Sequence, residues 1–141
     1  MYTSDKRLLR QLTAHLVISG GFALFGAVYE RFSHEVYSYW MIYAFAFPLL
    51  LCALPYALCL RKSFDPGEWV MRLWNAAVLT WTVGAVFKGV LDIYGTTNRL
   101  LSAYPAAGAI LASAAAIRYA YDRSLKGEKT DKPEAAAHAE I

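Results

Sequence analysis

Four long runs without formal charge dominate this chain, and they restrict it more than any other feature. They are Leu12–Tyr29 (eighteen residues, with His15 neutral), Val36–Leu60 (twenty-five), Leu73–Leu91 (broken only by Asn75 and Lys88) and Leu100–Ile117, with Arg118 just beyond. As α-helices at 1.5 Å per residue they reach roughly 27 to 38 Å, enough for a hydrocarbon core of ~30 Å. The runs are continuous rather than alternating, which argues against membrane strands. Charged residues make up 18% of the chain and apolar residues 57%, too little polar surface for a soluble domain of 141 residues. The sequence therefore predicts an all-α polytopic membrane protein, an up-down-up-down bundle of four transmembrane helices. The expected spans are about 10–30, 36–60, 69–92 and 98–120, within a transmembrane domain 1–121 followed by a mobile cytoplasmic tail 122–141.

The connectors agree with that division. Asp65-Pro66-Gly67-Glu68 reads as N-cap, proline at N1 and acid at N3 of the third span. Gly95 reads as the C-cap of that span, and Thr97 or Asn98 as the cap of the fourth. Connectors of about six to eleven residues make consecutive helices antiparallel neighbours. The first apolar run follows Lys6, Arg7 and Arg10 as a signal peptide would, but it has the length of a span and three more follow it.

Basic residues set the expected orientation. Lys6, Arg7, Arg10, Arg61, Lys62, Arg72, Arg118, Arg123, Lys126, Lys129 and Lys132 fall at one side of the four-span arrangement, against Arg31, Arg99 and Lys88 towards the other. Basic loops stay cytoplasmic, so both termini are expected inside a cell (inner or plasma) membrane. Tyr37, Tyr39, Trp40 and Tyr43 at the outer end of the second span, and Trp69, Trp74, Tyr119 and Tyr121 at inner ends, read as interfacial belts. An aromatic cage for an organic cation is the alternative for the outer cluster.

Small residues recur every four positions at Ser19, Ala23 and Ala27, beside Gly20, Gly21 and Gly26, and at Gly108, Ala112, Ala116 and Ala120. Such stripes let helices approach closely, within one bundle or between chains. Pro48 and Pro55 each remove a backbone donor and predict kinks in the second span. Asn75, Thr80 and Thr82 are expected to hydrogen-bond between helices.

Chemistry concentrates where the first and third connectors share the outer face. Glu30, His34, Lys88, Asp92 and Arg99 are the candidate ligand-binding residues. An intramembrane ionisable group is a functional candidate by default, and Lys88 can snorkel to Asp92 one turn on. Trp74, Trp81 and Lys88 recur every seven residues along one face. Glu30, His34, Glu35 and Asp92 supply oxygen and nitrogen donors for a divalent metal, although no zinc spacing is matched. A solvated connector with local ion pairs is the plainer reading of the same residues. His15 is read as a hydrogen-bonded structural histidine; as a haem ligand it needs a second chain or Met71 opposite it. Cys52 and Cys59 lie seven apart in one run, about 10 Å along a helix, too far for a disulfide within it. No span carries a mid-membrane Asp or Glu, which disfavours a small proton-coupled exporter. Nothing here marks a nucleic-acid partner, and no cofactor is assigned.

The segments Phe25-Gly26-Ala27-Val28-Tyr29-Glu30, Ser33-His34, Tyr37-Ser38-Tyr39-Trp40-Met41-Ile42-Tyr43-Ala44-Phe45-Ala46 and Leu91-Asp92-Ile93-Tyr94-Gly95-Thr96-Thr97-Asn98-Arg99 resemble a group of small bacterial four-span membrane proteins. The resemblance covers the spans and not the tail. It implies location and architecture, and carries no activity or functional residue.

Three functional readings follow. First is a small binding or transport module with an outward-facing polar site for a small solute or lipid headgroup. Second is a non-catalytic accessory or scaffold subunit of a larger membrane complex, or a homo-oligomer. The remote third is a metal-dependent membrane enzyme using Glu30, His34 and Asp92.

Overall fold

A computed structural model describes the backbone of residues 2–32 and 37–139, and the side chains of 3–32 and 37–125. Every regular element among the described residues is helical. α1 spans Tyr2–Phe32, α2 Tyr39–Ile42, α3 Ala46–Pro48 and α4 Leu54–Arg61, with a π-helical segment Leu49–Ala53 joining α3 to α4. α5 spans Glu68–Ile93, and a 3₁₀ turn Arg99–Ser102 leads into α6, Ala103–Ala139. Three helical stretches, Thr3–Phe32, Glu68–Ile93 and Arg99–Leu125, are long and apolar enough to cross a membrane, and Ala46–Arg61 is a shorter apolar helix. Exposed Val17, Leu24, Leu100, Ile110 and Ile117 give the outside of this bundle the apolar surface of a helical membrane protein.

Successive rods run antiparallel. Arg7, early in α1, meets Asp65 in the second connector at 2.6 Å, and Phe64 stacks edge-on against Tyr119 of α6, so these three places share one end. At the opposite end Gly26 of α1 and Gly89 of α5 both abut Met41 of α2. α5 packs along α6 and against the second rod, and α1 packs against the second rod; the backbones of α1 and α6 do not approach closely among the described residues. The second rod sits between α1 and α5, which also meet each other through the Gln11–Asn75 hydrogen bond, and α6 packs on the far side of α5.

The second rod is not one helix. A Tyr43–Phe45 turn separates α2 from α3, and the backbone widens into the π segment between Pro48 and Pro55. Pro55 has no N–H, so the Leu51 carbonyl four residues earlier lacks its α-helical donor. The Trp74 indole N–H of α5 donates to that carbonyl at 2.6 Å. Met41, 1% exposed, is held in notches made by two glycines. A Cβ on Gly89 would sit 2.8 Å from Met41 Cβ, and one on Gly26 would sit 3.2 Å from the Met41 carbonyl oxygen.

Caps refine the sequence reading. Gly67, at φ +92°, is the N-cap of α5 in place of Asp65. Asp65 instead accepts the Gly67 N–H at 3.0 Å in an Asx turn, and its other oxygen takes Arg7. At the far end of α5 Gly95 takes φ +67°, with Thr96 N–H on Leu91 O and Gly95 N–H on Asp92 O, a Schellman motif. Asn98 caps the 3₁₀ turn through Leu100 N–H at 2.9 Å. α4 ends in a second Schellman motif, but there Ser63 must adopt the left-handed conformation at φ 49°. α6 runs on to Ala139, through the stretch from Asp122 that reads as a tail in the sequence. Ala, Leu, Lys, Arg and Glu, strong helix formers, make up most of that stretch.

The core lies towards the Asp65 end, around Leu8, Cys52, Tyr56, Met71 and Val78. Thr80 and Thr82 do not bridge helices as expected. Their hydroxyls donate to the carbonyls of Ala76 and Val78 in the preceding turn of α5. An i−4 carbonyl is always within reach of a helical Thr, so no partner helix is needed.

Candidate functional site

Two polar groupings and one groove emerge. The first grouping is buried between α1, the second rod and α5. Asn75 Nδ2 donates to Gln11 Oε1 at 2.9 Å, and Asn75 Oδ1 accepts from the Tyr56 hydroxyl at 2.5 Å and the Cys52 thiol at 3.6 Å. Asn75 is thus the interhelical hydrogen-bonding residue its isolation in an apolar run suggests. His15, 3% exposed, lies 5.7 Å from the Tyr56 ring, and its Nδ1 is 2.8 Å from Gln11 O, which fixes Nδ1 as the protonated nitrogen. Ser19 donates to the His15 carbonyl. This network joins three rods and anchors their register.

The second grouping sits at the opposite end. Lys88 Nζ pairs with Asp92 Oδ1 one turn on, and the Ser38 hydroxyl donates to Asp92 Oδ2 at 3.3 Å. Ser38 is buried, and nothing in its sequence context marks it; serines before a short helix are ordinary caps, and here the side chain makes no cap hydrogen bond. Of the five residues expected at this end, the structure joins Lys88 to Asp92 directly. Glu30 stands in the last turn of α1, half-buried, where Tyr29 meets Tyr94 of the third connector. Arg99 opens the 3₁₀ turn, exposed and without an ion pair among the described residues. His34 and Glu35 lie outside the described residues. Among those described, no three His, Cys, Asp or Glu side chains are grouped to hold a metal ion.

Beside the Lys88–Asp92 pair runs a groove of about 570 Å³, within the ~300–1,000 Å³ usual for ligand sites. Its floor is one face of α5: Trp81, Gly84, Ala85 and Lys88, at the i, i+3, i+4, i+7 spacing. Trp40, Phe47 and Leu51 of the second rod form one wall, and Leu101 to Pro105 contribute to the other. The seven-residue Trp81–Lys88 spacing in the sequence therefore faces a cavity. Gly84 is needed for the wall, because a Cβ there would sit 2.6 Å from Tyr104 Cβ. Gly108 is needed for the floor, because its Cβ would fall 2.2 Å from Trp81 Nε1, which donates to Pro105 O at 3.2 Å. The lining is apolar almost throughout; its polar groups are Lys88, the Trp40 and Trp81 indoles, the Tyr104 phenol and the Ser102 hydroxyl, of which Trp81 donates to Pro105 O and Ser102 to Arg99 O.

Comparison with family models, with curated proteins and with solved structures gives no match. The reading of this site therefore rests on its own chemistry.

Proposed function

We propose that the chain is a four-span membrane protein with both termini cytoplasmic, acting as a small binding or transport module whose ligand enters at the outer end of α5, between the second rod and the start of α6. The broken second rod makes the fourth crossing. Its apolar helix Ala46–Arg61 covers only about 24 Å, and α2 supplies the rest. Broken spans are tolerated where the freed backbone is buried in protein, as Met41 and Ala44 are here. The eleven basic residues assigned to the inner side lie at the Asp65 end and on the C-terminal part of the chain, which supports placing that end inside.

The observation that carries the proposal is the groove. It starts at Lys88 and reaches Trp81, the middle of α5, so it offers a route from one interface to mid-membrane. A second reading, an accessory subunit, draws on the bare outer faces of α1 and α6. Gly20 and Gly21 have nothing within 4 Å of a built Cβ, and α6 exposes Ile110 and Ile117 beside its alanines. Native mass spectrometry from mild detergent separates the two. The binding module is expected to retain a small molecule of fixed mass. A chain that carries only a stoichiometric protein partner supports the second reading, and a bare chain contradicts both.

A further inference from the structure

We infer that the groove takes the acyl chain of a single-chain anionic amphiphile, with the carboxylate or phosphate headgroup at Lys88. This deepens the proposed binding function and rests on the groove being its ligand site.

The lining decides the body of the ligand. Trp40, Phe47, Leu51, Trp81 and Tyr104 offer hydrocarbon and ring faces, while the Trp81 N–H is already given to Pro105 O. A hydrated polar solute would lose most of its water there and gain few partners, because the Trp81 N–H and the Ser102 hydroxyl are already given to Pro105 O and Arg99 O. An alkyl chain loses nothing. The floor from Trp81 to Lys88 is a single helical row about 10 Å long, running parallel to α5 as an extended chain would.

The charges decide the head. Lys88 has three ammonium hydrogens and spends one on Asp92. Its side chain lines the groove and remains 36% exposed, which leaves the other two donors for a headgroup at the groove's mouth. Asp92 is occupied by Lys88 and Ser38. Arg99, three residues from the Ser102 on the lip, adds a second cation at the same connector. Lys88, Asp92 and Arg99 together sum to +1, which one monoanionic headgroup neutralises. A free fatty acid and a lysophospholipid share this chemistry, and the probes below tell them apart.

The test is tryptophan quenching in mild detergent. Trp81 and Trp40 line the groove, so a brominated chain seated there quenches them at contact. Dibromostearate, brominated lysophosphatidylglycerol and the uncharged dibrominated stearyl alcohol are titrated against the full chain. At least one anionic probe is expected to quench saturably at one per chain; Trp81→Phe and Trp40→Phe are each expected to remove part of the effect, and the double variant most of it. Lys88→Met should weaken the anionic probe at least tenfold and leave the alcohol within twofold. Ser102→Phe, on the exposed lip, should abolish quenching by all three, with retained helicity and elution volume showing that it folds; should it not fold, the Lys88→Met comparison stands alone. Equal binding of the alcohol, or no effect of Lys88→Met, overturns the anionic headgroup. Absence of quenching by every brominated chain, with inorganic phosphate or butyrate still protecting the outer connectors from modification, overturns the acyl chain but leaves the outer binding site standing. No binding of any probe removes both.

Discussion

Replacing Asn75 with Leu should cost more than any single substitution among the polar residues of the interior. Its amide carries the Tyr56 hydroxyl on one atom and Gln11 on the other, and the two partners come from two different rods. Interhelical hydrogen bonds in membranes average ~0.6 kcal/mol each and reach ~1.7. Two such bonds give about 1 to 3 kcal/mol. Leucine adds apolar surface but gains little, since lipid is as good a partner as protein. Most of the cost lies in what is left behind, because Tyr56 is 3% exposed and its hydroxyl is cut off from water. An orphaned buried donor costs about 1–3 kcal/mol. The net expectation is about 2–4 kcal/mol, measured as the loss of unfolding free energy in SDS titration from mixed micelles. Tyr56→Phe alone should cost about 1 kcal/mol. The double variant should cost less than the sum by at least about 1 kcal/mol, because removing the hydroxyl removes the orphan. An Asn75→Leu effect below about 0.5 kcal/mol, or strict additivity in the double variant, would refute the network as a structural anchor.

Other expectations follow from single contacts. Gly108→Val should destabilise by about 1–3 kcal/mol through overpacking against Trp81 and shift that residue's emission, whereas Gly21→Ala, which faces open space, should be neutral or stabilising by up to ~1 kcal/mol; both are read by the same SDS titration. Ser63→Gly should stabilise by about 1 kcal/mol, because glycine adopts the left-handed C-terminal position of α4 without steric cost. Arg7→Gln should cost only about 0.2–1 kcal/mol and lose its effect in high salt, since the Asp65 and Glu68 partners are both substantially exposed.

What could be read from the sequence was what depends on neighbours along one helix. Lys88 and Asp92 are one turn apart, so their pairing follows from spacing alone. The Gly95 cap and the role of Asn75 were legible for similar reasons: one needs a positive φ, the other is a lone amide in an apolar run. The break after Ile42 was not legible. Tyr43-Ala44-Phe45 holds no Gly or Pro, and the neighbouring Met41 is seated against Gly26 and Gly89, distant in the chain. Gln11 and Tyr56 were missed because a glutamine at a span's edge and a tyrosine in an apolar run look like interfacial residues. The groove was half-visible. The Trp81–Lys88 spacing marked a face, but its walls come from Phe47 and Tyr104 on other rods.

A four-span chain whose ligand groove opens at the outer end makes a direct demand on which side each residue lies. Cysteine labelling in intact cells tests it most directly, using Ser102→Cys on the groove lip and Ser124→Cys on α6, each with Cys52 and Cys59 replaced by serine. A membrane-impermeant maleimide is expected to label position 102 from outside and position 124 only after permeabilisation, and added long-chain fatty acid is expected to slow labelling at 102. Labelling of 124 from outside, or of both positions from the same side, would contradict it.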